Sequence, residues 1–305
     1  GETRYSLKLL PFGGSCMMLG EDENESDPKA FNNKPVWARI AVVFAGPLFN
    51  FLLAMVLGII IVHAVGFDSP TLTDVQPGFS AEEQGMQAGD VITKLNHEPV
   101  VVYRDITIYM MLHPSDPMNV EFKRLAADGV TWEKHTVTLT PRYSDENGRY
   151  MLGIVVSGRY TKAQGIGETL KYGIYEMVYS VKTTIKSLGM MIHGQVGRDD
   201  VAGPVRMVSM IDETVEETIP YGMSAVILTL VNLCMLLSAN LGVMNLLPIP
   251  ALDGGRLVFL ILEVLRGRPI DKEKEGMVHM AGMAALMVLM VLVLFNDISI
   301  LFKGV

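Results

Sequence analysis

Cysteine is scarce in this chain. Cys16 and Cys234 are the two cysteines among 305 residues, and they are far apart in the sequence with no C-x-x-C pair. This spacing argues against a disulfide framework and against a zinc site built from cysteines. Because Cys234 lies in an apolar run, we expect it to be a small buried hydrophobic residue.

Basic residues are outnumbered by acidic ones. The sequence has 25 Lys and Arg against 33 Asp and Glu, which gives a formal net charge of −8. A nucleic-acid partner requires a clustered basic surface, so the balance predicts no nucleic acid among the partners.

Charge is missing altogether from three long apolar runs. Residues 40–67, 218–252 and 276–296 contain no Asp, Glu, Lys or Arg. Crossing the hydrocarbon core of a bilayer takes about 20 residues, so each run is long enough. A soluble protein of this size rarely carries three such runs. The runs predict a polytopic α-helical membrane protein with the lipid bilayer as a partner.

The second run ends in Asn-Leu-Leu-Pro-Ile-Pro-Ala-Leu-Asp-Gly, residues 245–254. Pro248 and Pro250 lack a backbone N–H and break the helix, and Asp253 places a carboxylate at the membrane edge. Non-helical backbone at that depth is tolerated only inside protein or beside a wet cavity. The pattern therefore predicts an irregular polar pocket. A simpler interpretation makes Asp253 the N-cap of a following helix.

This string resembles the second signature of the bacterial site-2 protease family of intramembrane zinc metalloproteases, in particular RseP-like members with a single PDZ domain. The resemblance implies that Asp253 is a zinc ligand and that Asn245 positions the substrate backbone during catalysis. Pro248 and Pro250 are then expected to line the substrate-binding site. The implied activity is hydrolysis of a peptide bond within a membrane-spanning substrate such as an anti-sigma factor, with Zn²⁺ as the cofactor.

The start of the chain alternates at strand period through Tyr5, Leu7 and Leu9 and then turns at Gly13 and Gly14. It resembles the re-entrant β-hairpin that follows the first transmembrane helix in bacterial site-2 proteases. The resemblance implies that these five residues bind substrate by adding a strand to it. An ordinary surface hairpin is the alternative interpretation.

Residues 67–158 have the composition of a soluble β domain and resemble a PDZ domain of bacterial proteases. Such a domain binds an extended peptide by strand addition, and the alternative is that it only restricts access to the site. The predicted elements are turns at Pro77-Gly78, Gly89-Asp90 and Asp128-Gly129 and strands at Val91–Leu95, Met118–Leu125 and 131–139.

The first run carries Phe-Ala-Gly-Pro-Leu-Phe-Asn, residues 44–50, similar to a string that opens the second helix of family members. We expect Ala45 and Gly46 to let helices approach closely, and Asn50 to have a structural role.

Apolar residues recur at helical spacing through residues 166–192 and predict an amphipathic helix lying in the membrane interface. A helix packed on the PDZ domain is the alternative. Residues 202–205, Ala-Gly-Pro-Val, resemble a family string before the third membrane helix, and we assign them no chemistry.

Basic residues set the predicted topology. Arg266, Arg268, Lys272 and Lys274 crowd the short loop before the last span, and the positive-inside rule makes that loop cytoplasmic. The PDZ domain is then extracytoplasmic, and the protein resides in the bacterial cell membrane. The predicted plan is 1–39 hairpin and cytoplasmic loop, 40–66 transmembrane helix, 67–158 PDZ domain, 159–217 amphipathic region, 218–266 transmembrane helix with the Pro-Ile-Pro motif, 267–275 cytoplasmic loop, and 276–305 C-terminal transmembrane helix.

One expected motif is absent from the sequence. A catalytic zinc site needs three protein ligands, and family members take two from an H-E-x-x-H helix whose glutamate is the base. None of the six histidines belongs to such a motif, and His63 and His279 are expected to lie away from the Asp253 end or alone on apolar faces. The histidines are His63, His97, His113, His135, His193 and His279.

With one zinc ligand of three, we expect a family member that lacks its first helix and is inactive as given. The alternative is a pseudoprotease whose PDZ domain and membrane core bind clients. A transporter with a broken helix would explain the membrane part but not the PDZ domain.

Overall fold

The computed structural model describes residues 18–20, 26–195, 197 and 202–303. The chain divides into two compact units, residues 1–48 with 244–290 and residues 49–243 with 291–305. The helices among the described residues are α1 (Val36–Ala64), α2 (Ser80–Glu83), α3 (Tyr103–Leu112), α4 (Gly165–Ile192), α5 (Pro204–Thr218), α6 (Met223–Leu246), α7 (Asp253–Arg266) and α8 (Lys272–Lys303).

Among the residues that the structure describes, three helices are long and apolar enough to cross a membrane. They are α1, α6 and most of α8, over Val36–Ala64, Met223–Leu246 and Glu273–Ile300. Side chains that point away from α1, such as Phe49 and Val56, are apolar and exposed, as in a helix that meets lipid. The predicted class, a polytopic α-helical membrane protein, is confirmed.

Cys234 departs from the prediction. It is a free cysteine and it is exposed on α6. An apolar run that faces lipid has an outward side, so a hydrophobic neighbourhood in the sequence does not place a residue in the protein interior.

A β domain follows α1, and it is the PDZ domain predicted from the sequence. Four antiparallel strands pair in the order β3-β2-β4-β5, and two further pairs join β1 to β8 and β6 to β7. The strands are β1 (Leu72–Val75), β2 (Val91–Leu95), β3 (Glu98–Pro99), β4 (Met118–Leu125), β5 (Trp132–Leu139), β6 (Arg142–Ser144), β7 (Arg149–Met151) and β8 (Ile154–Val156). Two predicted strands have the predicted bounds, and the third begins one residue later than predicted.

The domain closes over a core of strand residues. Ile92, Leu95, Val120 and Leu139 are almost completely buried in one cluster. Burying a side chain of this size contributes roughly 1.5–3 kcal/mol, so these residues dominate the stability of the domain.

A buried ion pair fixes the predicted Gly89-Asp90 turn to the sheet. Asp90 is fully buried, and both of its carboxylate oxygens accept hydrogen bonds from the Arg124 guanidinium at 2.7 Å. The hydrogen bonds that Arg124 donates to Asp90 raise the pKa of the Arg124 guanidinium. Planar guanidinium and carboxylate groups match in this two-point geometry, which holds the turn in one orientation on β4.

Helix α4 packs its polar and small residues inward. Gly173, Glu176 and Ser180 are buried, whereas apolar side chains predicted for the membrane-facing stripe, including Ile174 and Ile185, are exposed. The exposed stripe suits a lipid environment, and the inward face contacts protein.

The inward face of α4 meets the PDZ domain through charged groups. The Tyr175 hydroxyl donates to Asp105 at 2.8 Å, and Lys182 and Lys186 bind Glu98 at 3.3 and 2.6 Å. These contacts favour the interpretation that α4 packs on the PDZ domain. Its placement in the membrane interface stays a prediction.

Helices α1 and α4 cross with their backbones in contact. A β-carbon at Gly58 would lie 2.5 Å from the Gly173 carbonyl oxygen, and one at Gly173 would lie 2.5 Å from Ile59 Cα. Both positions therefore require glycine, which is how small residues let helices approach.

Helix α5 is capped from α8. Asp297 is fully buried and accepts the backbone N–H groups of Gly203, Val205 and Arg206 at 2.9, 3.1 and 3.2 Å. A carboxylate at a helix N-terminus satisfies amides that lack an intrahelical partner. The Gly-Pro-Val string is thus a helix start, with Pro204 at the first helical position where proline is favoured.

Candidate active site

The membrane helix α6 ends at Leu246 and α7 begins at Asp253, so the predicted helix break is present. In the turn between them, Pro248 and Pro250 have no amide to satisfy. The N–H of Ile249 donates to the Leu247 carbonyl at 2.7 Å, and the N–H of Leu252 donates to the Ile249 carbonyl at 3.1 Å. These two hydrogen bonds satisfy the N–H groups of Ile249 and Leu252 within the irregular backbone.

Two glycines let this turn fold back on the start of α7. A β-carbon at Gly254 would lie 2.2 Å from the Leu247 carbonyl oxygen, and one at Gly255 would lie 2.4 Å from the Ile249 carbonyl oxygen. These are contacts with backbone, which cannot rotate away as a side chain can. The Asp-Gly-Gly sequence is therefore what allows Asp253 to sit directly beside the turn.

Asp253 is the first residue of α7, and Leu252 is the N-cap. The interpretation of Asp253 as the capping residue is therefore wrong by one position, although a carboxylate in the first turn still benefits from the helix dipole. The side chain is half-buried.

The Asp253 carboxylate meets the other membrane motif. A β-carbon at Gly46 would lie 3.3 Å from Asp253 Oδ2. Gly46 belongs to the Phe-Ala-Gly-Pro-Leu-Phe-Asn string of α1. Gly46 was expected to let helices approach closely. In the structure, its missing side chain leaves room for the Asp253 carboxylate. The backbone carbonyl of Asn50, in the same string, accepts the Ser238 hydroxyl at 2.9 Å. Any residue at position 50 could make this contact, so the structural role expected of the Asn50 side chain stays a prediction.

Asn245 lies in the last turn of α6 and is half-buried. Within the part of the chain that the structure describes, no hydrogen bond joins its side-chain amide to another group. Pro248 is exposed, and Pro250 is half-buried against Gly282 of α8. The predicted hairpin residues Tyr5, Leu7, Leu9, Gly13 and Gly14 lie outside the described residues.

A cavity of about 120 Å³ lies in the same unit as Asp253. Arg39, Arg256, Glu275 and His279 contribute polar groups to its wall. Arg39 also forms an ion pair with Glu263 of α7, and both side chains are mostly buried. The ion pair joins the start of α1 to the second half of α7, so the two elements that contribute Gly46 and Asp253 are linked at a second point.

His279 makes a contact that the sequence did not predict. It was expected to lie away from the Asp253 end or alone on an apolar face, but its Nδ1 accepts the N–H of Ala251 at 2.9 Å. The contact joins α8 to a turn far away in the sequence. The signal that could have found it is weak: a polar residue within an apolar span, three positions before Gly282 on the same helix face.

The donor set can be tested against the metal that the family resemblance implies. A carboxylate oxygen is a normal zinc ligand, and catalytic sites use three protein ligands with one open position. Among residues 18–20, 26–195, 197 and 202–303, no three His, Cys, Asp or Glu side chains are grouped to hold a metal ion. Within these residues, Asp253 offers one carboxylate of a type that binds zinc.

Comparison with known proteins gives a consistent assignment. Peptidase family M50 matches residues 1–289. A relative from Clostridium acetobutylicum is 37% identical over 297 residues, which cover 97% of this chain and 83% of that protein. The zinc metalloprotease RasP of Bacillus licheniformis is 36% identical, with 90% of this chain and 62% of that protein covered. The regulator of sigma-W protease RasP of Bacillus subtilis is 35% identical with the same coverage.

The chain thus spans less than two thirds of the length of the two RasP proteins. Among solved structures, the PDZ domain of an SdrC-like protein from Listeria monocytogenes is 16% identical. The aligned region covers 30% of this chain and 90% of the Listeria chain, with a TM-score of 0.26. From the match over residues 1–289 and the identity to full-length relatives, the chain belongs to peptidase family M50, the family of the site-2 proteases.

Proposed function

We propose that this chain is part of an intramembrane zinc metalloprotease that hydrolyses a peptide bond within a membrane-spanning protein. The observation that carries the proposal is the location of Asp253. It is the first residue of α7, directly after a turn that interrupts the apolar run, and its carboxylate lies against Gly46. An ionisable group at such a place is functional by default.

Asp253 is proposed as one of three zinc ligands. Two histidines and a glutamate base would come from an H-E-x-x-H helix that precedes Gly1 in the natural protein, so the chain as given would be inactive. Bound zinc would polarise the scissile carbonyl and lower the pKa of its bound water to about 7. The residues of this chain would help to hold the metal and would position the substrate beside it.

Asn245 is proposed to bind the backbone of the substrate. A substrate helix must unwind before its peptide bonds become accessible, and an amide side chain can donate to a carbonyl and accept from an N–H of extended backbone. The absence of a hydrogen bond from Asn245 within the described residues supports this role. Pro248 and Pro250 would line the same site, and the hairpin of residues 5–14 would add a strand to the substrate.

The proposed substrate class is an anti-sigma-factor-like membrane protein. The Bacillus subtilis relative is named as a regulator of sigma-W protease. For this chain, the proposed placement is the bacterial cell membrane, with the basic loop before α8 in the cytoplasm and the PDZ domain outside. The PDZ domain would bind a peptide or restrict access to the site.

Replacing Asp253 tests the proposal. In the protein that includes the upstream helix, Asp253→Asn is expected to abolish cleavage of a model membrane substrate and to lower the zinc content per protein. Asn245→Ala is expected to reduce turnover with full zinc content. Asp271 provides the matched control because it precedes α8 and its Oδ1 accepts the Glu273 N–H at 3.1 Å, as a true cap does. Asparagine caps about as well as aspartate, so Asp271→Asn should change nothing.

Full zinc occupancy and normal cleavage in Asp253→Asn would overturn the metal assignment. An upstream sequence without H-E-x-x-H would instead favour a pseudoprotease that binds clients.

A further inference from the structure

His279 contacts the turn that leads into Asp253. Its Nδ1 accepts the N–H of Ala251 at 2.9 Å, and its side chain is 18% exposed. Three residues further along α8, Gly282 packs on the same turn, because a β-carbon there would lie 2.4 Å from Pro250 Cβ. Residues three apart share a helix face, so one face of α8 contacts two successive residues of the turn.

The turn has a specific need for this hydrogen bond. Ala251 has φ +78°, the left-handed region that costs a non-glycine residue about 1–2 kcal/mol. A hydrogen bond to this N–H contributes about 0.5–1.5 kcal/mol, which is comparable with that cost. The His279 bond therefore offsets the strain of the turn and holds the direction in which the chain enters α7 two residues later.

The histidine can accept this bond only in one form. A ring nitrogen accepts when it carries no proton, so the hydrogen-bond network assigns the proton of the neutral ring to Nε2. That nitrogen faces Glu275, whose Oε1 lies 4.0 Å away, and the ring of Phe259 lies 5.5 Å from the imidazole. The ring is thus held between α7 and its own helix, with Nδ1 directed at the turn.

We propose that His279 is a positioning residue of the active site: it holds the left-handed turn at Ala251 and thereby orients the Asp253 carboxylate. It acts through backbone and does not itself contact substrate or metal. The inference rests on the proposed function of Asp253 as a zinc ligand, and it predicts that the acceptor atom at position 279 matters rather than the volume of the ring.

Two substitutions separate the acceptor from the volume. His279→Asn retains an acceptor at a comparable distance from the helix axis, whereas His279→Leu retains bulk without an acceptor. The readout is amide hydrogen exchange of residues 249–252, whose exchangeable amides belong to Ile249, Ala251 and Leu252. Loss of one hydrogen bond should speed exchange there roughly three- to tenfold in the leucine variant, and the asparagine variant should exchange like the parent.

Zinc content and cleavage are measured on the same variants in the protein that includes the upstream helix. Both should fall in His279→Leu and be retained in His279→Asn. Exchange of residues 91–125 in the PDZ domain reports whether the leucine variant is folded. If the leucine variant is not folded, His279→Ala is compared with His279→Asn instead.

Each remaining outcome has a meaning. If residues 249–252 exchange at the parent rate in the variant that lacks an acceptor at position 279, the positioning role is overturned and the proposed function of Asp253 is not. Faster exchange with normal zinc content and cleavage also overturns the positioning role, because the turn would then not orient Asp253. Normal zinc content and cleavage in His279→Leu, with both lowered in His279→Asn, would show that position 279 acts through packing and would overturn the proposal. Full zinc retention in Asp253→Asn removes the proposed function, and with it the ligand that His279 is proposed to orient.

Discussion

Asp253 Oδ2 lies 3.3 Å from the place that a β-carbon would occupy at Gly46. A glycine in one membrane helix therefore leaves the space that a carboxylate from another segment fills. Contacts this close are rare for real β-carbons, so a larger residue at position 46 must displace the carboxylate by a few tenths of an ångström. The two strings singled out in the sequence, residues 44–50 and 245–254, meet at this point.

Gly46→Ala is expected to reduce cleavage by roughly tenfold, since a misplacement of about 1 Å in a catalytic site can cost about 10²-fold. Zinc content should fall as well, because the displaced group is the proposed ligand. Cleavage and zinc per protein are measured together. Gly189→Ala is the matched control, since a β-carbon at Gly189 meets nothing within 4 Å. Equal behaviour of the two variants would contradict the contact.

Gly255→Ala is expected to destabilise the turn by about 1–3 kcal/mol, the usual cost of overpacking. The added carbon would meet the Ile249 carbonyl oxygen at 2.4 Å, and backbone cannot move aside. The melting temperature in detergent measures the loss. At Gly276, which also lies in an apolar helix, a β-carbon has open space, so Gly276→Ala should be neutral or slightly stabilising. A neutral Gly255→Ala would mean that the turn is not closed as described.

Asp297→Ala is expected to release the start of α5, because three backbone N–H groups lose their acceptor. Loss of a helix cap costs about 1–2 kcal/mol. Amide exchange of residues 204–218 should accelerate, whereas Asp297→Asn should have a smaller effect. Asp212 on the exposed side of α5 provides the control, and Asp212→Ala should leave exchange unchanged.

The attachment of α4 to the PDZ domain should weaken in acid. Partial burial raises the pKa of Glu98, but the hydrogen bond and charge of Lys186, together with Lys182, outweigh it and bring the pKa below the ordinary 4.5. A carboxyl with a lowered folded pKa stabilises fully above its unfolded pKa. That stabilisation is lost as the pH falls from about 4.5 through the folded value.

The protection factors of residues 165–192, which correct for the intrinsic exchange rate at each pH, should therefore fall below pH 4.5 in the parent protein, and Glu98→Gln should show the lowered protection already at pH 7. The carboxylate is about a third exposed, so the effect is modest, at most about 1 kcal/mol. Identical pH profiles in both proteins would show that Glu98 does not hold α4.

The topology is testable by labelling. With both native cysteines replaced, single cysteines at Ser144 and at Arg268 are treated in intact cells with an impermeant maleimide. Position 144 in the PDZ domain should react, and position 268 should react only after permeabilisation, because the basic loop is expected in the cytoplasm. The reverse pattern would invert the placement of Asp253 in the membrane.

Local patterns allowed much of the fold to be predicted. The resemblance to a PDZ domain, with its turn residues, predicted β2 and β4 with their bounds, and the two prolines predicted the break before α7. Contacts between distant segments were not predictable, because no local pattern records that His279 accepts the Ala251 N–H or that Gly46 lies against Asp253. The position of Cys234 was mistaken because a lipid-facing helix buries only one of its sides.

The backbone contact between Gly58 and Gly173 has a consequence for biogenesis. Where two helices touch through their backbones, no side chain spans the gap between them at a larger distance. The packing at this point therefore forms only when the helices are fully docked. Helix α1 is synthesised and inserted first, whereas α4 emerges only after the PDZ domain has been made. Newly made chains should therefore pass through a stage in which the PDZ domain is folded but α4 is undocked and sensitive to proteases.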